Sequence, residues 1–270
     1  MSATADQVVD QPILLRDDSD GIATLTLNRP AQYNALSSAM LDELQSALDA
    51  IDRDDSVRVV IIAAAGKAFC PGHDLKEMRS SEERAFHQAL FDKCANMMMT
   101  IHRLRQPVIA QVQGIATAAG CQLVAMCDIA VASEKATFGQ TGVRVGSAPV
   151  LGGTNFLSMS VGEKRAKEIA FMCRRYPADE ALRMGLINAV VPAEQLEEEV
   201  TRWADELLVM SPRYLEIAKV NSNVWWNQCR DNYLSGLGML VQAIGSPDMI
   251  EGATAFMEKR KPRFEGRAPK

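Results

Sequence analysis

The chain has 270 residues, 47% hydrophobic and 23% charged, a composition that excludes wholesale disorder and is long enough for a sizeable core. Its 29 basic and 34 acidic side chains leave a net charge of −5, so a basic nucleic-acid footprint is not expected. The longest uninterrupted aliphatic run, Val59 to Ala65, is far short of the roughly 20 residues of a membrane-spanning helix.

The first eighteen residues carry acids where a secretory leader carries bases, and too few arginines for a transit peptide. Six scattered cysteines without a Cys-x-x-Cys pair read as small buried hydrophobes in a reducing compartment. Three histidines, at 73, 87 and 102, lack metal-ligand spacing. A cytoplasmic, metal-free protein is the expectation.

Ile22 to Leu27 alternates apolar and polar residues, as a half-buried strand does. Leu36, Met40, Leu44, Leu48 and Ile51 recur at helical spacing. Val57 to Ala65 is apolar on both parities, which predicts a strand covered on both faces. A loop, Gly66 to His73, leads to a long helix over about Ser81 to Arg105, with Ser80 and Glu83 as its capping box. Strands are expected at Val108–Val112 and at Asp128–Ala132, separated by the small-residue segment Gly114–Cys121. This alternation predicts an α/β core of repeated strand–helix units.

The last third changes character. Ala178–Met184 reads as a helix stopped by Gly185. Ser211-Pro212 and Ser246-Pro247 each place a hydroxyl at an N-cap and proline at the first helical position. Trp225 to Val241 is amphipathic and long. The organisation expected is a core over residues 1–200 and a helical subdomain over 201–270.

No Gly-x-Gly-x-x-Gly, phosphate-loop or Gly-x-Ser-x-Gly signature occurs, which lowers Rossmann redox, nucleotide-hydrolysis and hydrolase chemistry. Two glycine-bearing segments remain. In Phe69-Cys70-Pro71-Gly72-His73-Asp74-Leu75-Lys76, a tight turn before a helix leaves backbone amides free for an anion or a polarised carbonyl. In Gly114 to Gln122, small side chains let backbone approach a ligand at a helix start.

In this order and spacing the two segments resemble the enoyl-CoA hydratase/isomerase family, the crotonases. Ala68 to Met78 is similar to the family's first oxyanion segment, and Gly120-Cys121-Gln122-Leu123 through Cys127 to Ala130 to its second. Leu27-Asn28-Arg29-Pro30 with Asn34-Ala35-Leu36, and Glu251-Gly252 with Phe256 to Lys261, match its opening and closing motifs. The resemblance implies a spiral of ββα units with a C-terminal helical trimerisation region, assembling as a homotrimer or a dimer of trimers. It also implies an acyl-CoA substrate, coenzyme A being part of the thioester rather than a tightly bound cofactor. The thioester oxygen would lie between the amides of His73 and Ala119. Arg29, Asp74, Leu75 and Lys76, with Lys259 of a neighbouring subunit, match coenzyme A-contacting positions.

The pattern breaks where the family's hydratases carry two glutamates, because Gln122 and Gly142 occupy those positions. Neither can take a proton from water near neutral pH, so hydration should be weak. Phe138 to Gly142 with Val145-Gly146-Ser147 also resembles the dihydroxynaphthoyl-CoA synthase branch, but Pro149 stands where that branch has an aspartate and the decarboxylases a tyrosine. His73, Gln122, Gln140, Arg144 and Ser147 are the remaining polar candidates. Asp128 reads as a structural carboxylate, and Cys121 and Cys127 as packed thiols. The alternatives are a non-catalytic thioester binder or assembly subunit, a different crotonase reaction, and RNA binding, which the acidic balance disfavours.

Overall fold

Six strands, β1 (Leu14–Ser19), β2 (Ile22–Leu27), β3 (Val59–Ala64), β5 (Val108–Val112), β7 (Ile129–Ser133) and β10 (Ala189–Val191), form one sheet in the order β1-β2-β3-β5-β7-β10. β1 pairs antiparallel with β2 and every other pairing is parallel. Four short strands, β4 (Ala68–Cys70), β6 (Ile115–Thr117), β8 (Thr137–Gly139) and β9 (Tyr176–Pro177), make a second sheet in the order β4-β6-β8-β9. The computed structural model from which this is read describes residues 11–150, 153–223 and 238–264.

Each of the pairs β3-β4, β5-β6 and β7-β8 gives one strand to each sheet, and each is followed by helix. The helices are α1 (Ser38–Asp52), α2 (Leu75–Met78), α3 (Arg84–Arg103), α4 (Ala119–Met126), α5 (Asn155–Val161), α6 (Glu163–Met172), α7 (Ala178–Met184), α8 (Leu196–Leu208), α9 (Pro212–Ser222) and α10 (Pro247–Met257). The chain therefore winds as a spiral of ββα units, a mixed α/β fold.

Hydrophobic pattern explains the layers. β2 buries Ala23, Leu25 and Leu27 on one face, as its alternation predicts. β3 is buried on both faces. Val60 and Ile62 join the main core, while Val59, Ile61 and Ala63 meet Leu196, Val200 and Ala204 of α8. α8 runs through residue 200 and covers the outer face of the large sheet. α7 ends at Gly185 in the left-handed region, as expected.

Several local expectations are corrected. Leu36 is not helical. Ser37 caps α1, its Oγ accepting from the Met40 N–H, and Leu36 bridges to His73 instead. The Ser80–Glu83 capping box does not form. Glu83 precedes α3, and the Ser80 hydroxyl donates to the Glu77 carbonyl. Gly114–Cys121 holds the short strand β6 and opens α4 at Ala119, the helix start expected there. Ser246 caps α10 through its side chain, whereas Ser211 makes no such bond before α9. Most of the Trp225 to Val241 stretch lies outside the described residues.

Candidate functional site

Two backbone segments meet side by side. After β4 the chain turns through Gly72, whose φ of +112° suits only glycine. The Leu36 N–H donates to the Gly72 carbonyl at 2.9 Å, and the Asp74 N–H donates to the Leu36 carbonyl at 3.1 Å. This pairing skips His73, whose N–H has no protein acceptor among the described residues. Asp74 then caps α2, its carboxylate accepting from the Lys76 and Glu77 amides at 3.1 and 3.4 Å.

The second segment enters α4 through Ala118, at φ +49° and ψ −124°, a conformation that costs a residue with a Cβ on the order of 1–3 kcal/mol. The Ala119 N–H follows as the first of the helix and likewise has no acceptor among the described residues. The two segments touch backbone to backbone. A Cβ on Gly72 would lie 3.3 Å from the Ala119 nitrogen, and one on Gly120 only 2.0 Å from the Cys70 carbonyl oxygen. Glycine at both positions lets the segments close on each other.

A cavity of about 50 Å³ opens beside them, lined by His73, Ala118, Ala119, Gln122, Gln140, Gly142 and Ser147, with Phe91, Cys94, Pro149, Val150 and Leu240 as its apolar wall. None of these lining residues carries a permanent charge. The His73 ring packs edge-on against Phe91 at 5.4 Å. Burial pushes its pKa down to about 4, opposed only in part by the Leu36 backbone, so the imidazole is neutral at pH 7. The ring lies beside the Leu36 backbone and the buried Gln140 amide beside the Cys121 thiol, and neither His73 Nδ1 nor the Gln140 amide makes a well-formed hydrogen bond among the described residues. Burial raises the Cys121 thiol, close to Gln140, to about 12, which suits a packed thiol rather than a nucleophile.

Gln122 projects toward Gly153, where an added Cβ would sit 2.7 Å from its Nε2. Gly142 begins a 3-10 turn, Gly142–Val145, and does not have a positive φ. A Cβ there would make ordinary contacts of 3.5–3.6 Å. A side chain at 142 is therefore compatible with the backbone.

The fold thus brings together His73, Ala119, Gln122, Gln140, Gly142 and Ser147. Arg144 is not among the lining residues, and its guanidinium donates to the Cys173 carbonyl at 3.2 Å. Arg29 and Asp74 form an ion pair at 3.4 Å beside the loop. Leu75 and Lys76 lie on α2 with Lys76 exposed, and Lys259 is exposed beyond α10; none of these five lines the cavity. Asp128 is structural, accepting from the Val108 N–H at 2.8 Å and from Lys219 Nζ at 2.7 Å. Phe91 and Cys94 escaped the sequence reading because three residues' spacing on an amphipathic helix signals only core.

The opening and closing motifs prove to be framework. The Asn34 amide donates to the carbonyls of Ala65 and Ala68, both at 2.8 Å, and its oxygen accepts from the Arg29 N–H at 2.8 Å. Gly252 of α10 meets Gly146 so closely that a Cβ on it would lie 2.4 Å from the Gly146 nitrogen. The C-terminal helix thereby buttresses the turn that carries Gly142, within the same chain.

Known proteins supply an independent comparison. Residues 17–267 match the family model described as enoyl-CoA hydratase/isomerase. A rat protein, "Enoyl-CoA hydratase domain-containing protein 3, mitochondrial", is 40% identical over 250 residues, covering 90% of this chain and 81% of its own. The crystal structure of an enoyl-CoA hydratase from Mycobacterium smegmatis is 42% identical, covers 94% and 99% of the two chains, and has a TM-score of 0.76. A methylmalonyl-CoA decarboxylase in complex with 2-nitronate-propionyl-CoA is 27% identical over 95% and 99%, with a TM-score of 0.84. The cytoplasmic location expected from the sequence is not upheld, because relatives at about 40% identity from rat, mouse and human are named as mitochondrial proteins.

Proposed function

Because the chain belongs to the enoyl-CoA hydratase/isomerase family, we propose that it binds an acyl-CoA thioester with its carbonyl oxygen between the His73 and Ala119 amides. The observation that carries this reading is the pair of N–H groups, on two abutting segments and at one cavity, that no acceptor among the described residues uses. Chemistry next to a thioester builds negative charge on that oxygen as an enolate forms. Two donors held by backbone packing stabilise it without reorganising, and losing one such donor commonly costs about 10²–10³ in rate.

Proton chemistry is the missing half. Gln122 and Gly142 stand where hydratases of the family use glutamates, and no carboxylate lines the cavity among the described residues. Each general acid–base group is typically worth about 10²–10⁴. The protein is therefore a poor hydratase that retains thioester binding and enolate stabilisation. A second reading, a thioester binder without turnover, draws support from the same absence and from the neutral His73.

Arg29, Asp74, Leu75 and Lys76 are assigned to the coenzyme A moiety, and Lys259 reaches it from a neighbouring subunit of a trimer or dimer of trimers. Residues 1–200 would hold the site and residues 201–270 the assembly surface. The exposed apolar side chains of Tyr214, Val220, Ile250 and Phe256 on α9 and α10 support that surface. Calorimetry with butyryl-CoA is the test. Binding that weakens with salt and with Lys76→Ala is expected, and no heat at millimolar ligand would overturn the assignment. Light scattering that finds a monomer at micromolar concentration would remove Lys259 from the site.

A further inference from the structure

A second cavity, of about 320 Å³, shares no lining residue with the one beside His73 and Ala119. Three arginines line it, Arg58, Arg105 and Arg213, against two carboxylates, Asp55 and Glu216. Arg58 directly precedes β3, Arg105 leads into its parallel neighbour β5, and Pro212 and Arg213 open α9. The chain reaches the His73 segment only after the opposite end of β3. Arg58 Nη2 donates to the Met210 carbonyl at 2.7 Å, and Arg105 donates to the carbonyls of Asp52 and Asp54 at 3.3 and 3.1 Å. Neutral carbonyls thus fix two guanidiniums without cancelling their charge. Among the described residues Arg58 has no carboxylate partner. The other two pairs are open to water: the Asp55 side chain is 99% exposed where it meets Arg105, and that of Arg213 is 71% exposed where it meets Glu216. Exposed pairs of this kind hold weakly.

We propose that this cavity is a binding site for a small phosphate monoester, independent of the thioester reading above. A guanidinium carries five N–H donors in a fork that matches phosphate oxygens, and the bonds described leave donors free on each arginine. α9 starts at the cavity without a side-chain cap from Ser211, which adds the positive end of its dipole. The lining sums to one positive charge, three arginines against two carboxylates, in a chain of net charge −5. Gln106, 3% exposed and bonded to the carbonyls of Ile51 and Val57, holds the wall in place before any ligand arrives. The volume exceeds that of phosphate alone, and Val57, Pro107 and Pro212 give an organic group an apolar rim.

Calorimetric titration of the full-length protein with inorganic phosphate and with phenyl phosphate, each against chloride at matched ionic strength, tests this. Phosphate should bind with a Kd of about 1 mM and phenyl phosphate about tenfold tighter, and both should weaken as salt rises. Arg58→Gln and Arg213→Gln should each weaken both probes about tenfold, with circular dichroism checking the fold. Arg213 is exposed, so its variant decides the matter if Arg58→Gln fails to fold. No heat beyond that of chloride at about 10 mM phosphate, or a folded variant that binds as tightly as the wild type, would overturn the site. Phenyl phosphate binding no tighter than phosphate would overturn the monoester class. Butyryl-CoA enters none of these titrations, so their failure leaves thioester binding untouched, and the reverse also holds.

Discussion

Asn34 and Gln140 are carboxamides shut away from solvent to the same degree, at 0% and 1% exposure, yet their surroundings are opposite. Asn34 makes three hydrogen bonds that tie the loop at Arg29 to the carbonyls flanking the start of β4. Gln140 makes none that is well formed among the described residues. A folded chain seldom leaves an enclosed amide unpaired, because each lost bond costs about 1–3 kcal/mol. Away from the cavity, Gln45, Gln106 and Gln113 use their NH2 groups and leave their amide oxygens unpaired, whereas Asn34, which holds the frame, is fully paired. Lys219 shows the same pattern, its ammonium donating to Ile101 O, Gln106 O and Asp128 at 3.1, 3.0 and 2.7 Å.

The largest effect should follow from breaking the paired amide. Asn34→Ala strands two carbonyls and an N–H in the core, and urea unfolding should show a loss of about 4 kcal/mol. A loss below ~1 kcal/mol would mean that the three bonds contribute little and that the contrast with Gln140 is empty. Gly120→Ala attacks the frame from the cavity side. Its Cβ meets the Cys70 carbonyl at 2.0 Å, so a loss of about 3 kcal/mol is expected in the same assay. Retention of wild-type stability would show that the two segments are not locked as described.

Acid provides a third contrast. Burial holds His73 and His102 at about 4, against the ordinary 6.5, with Lys219 and Arg103 also lowering His102. Below pH 6.5 the unfolded chain binds protons that the folded chain refuses, so stability falls as pH drops from 6.5 toward 4. The expected loss between pH 7 and pH 5 is about 2 kcal/mol per histidine. His73→Gln, which cannot titrate, should remove roughly half of that dependence. An unchanged slope would place the acid sensitivity elsewhere. The smallest effect carries the opposite sign. Gln140→Met removes two unmet polar atoms, so the ligand-free protein should gain about 1 kcal/mol on thermal melting. Destabilisation would reveal a structural role for the amide.

Much of the frame was legible because burial writes itself into period. β2, β3, β5, α1 and α7 carry alternation, doubly apolar runs or a glycine stop. β1 was not, since Leu14–Ser19 is almost wholly exposed and is a strand only because β2 pairs with it. The second sheet was invisible for a related reason: strands of two or three residues have no period, and distant partners define them. At the site, the family resemblance supplied His73, Ala119, Gln122 and Gly142, and the fold brings all four to one cavity. That Gln140 makes no well-formed hydrogen bond among the described residues, and that Gly252 meets Gly146, are facts of three-dimensional approach that no local pattern carries.

The proposed thioester site has the unpaired amides of His73 and Ala119 but Gln122 and Gly142 in place of the hydratase carboxylates. Loss of crotonyl-CoA absorbance, followed for the wild type, Gln122→Glu, Gly142→Glu and the double variant, tests it most directly. The backbone at 142 accepts a side chain, so the double variant should fold, and circular dichroism checks that it does. The prediction is wild-type turnover well below one per second. A gain of about tenfold or more should appear in the double variant and much less in either single variant, because both groups act on one water. Wild-type turnover of a few to about a thousand per second, ordinary for enzymes, would contradict the account by showing that another residue supplies the proton chemistry.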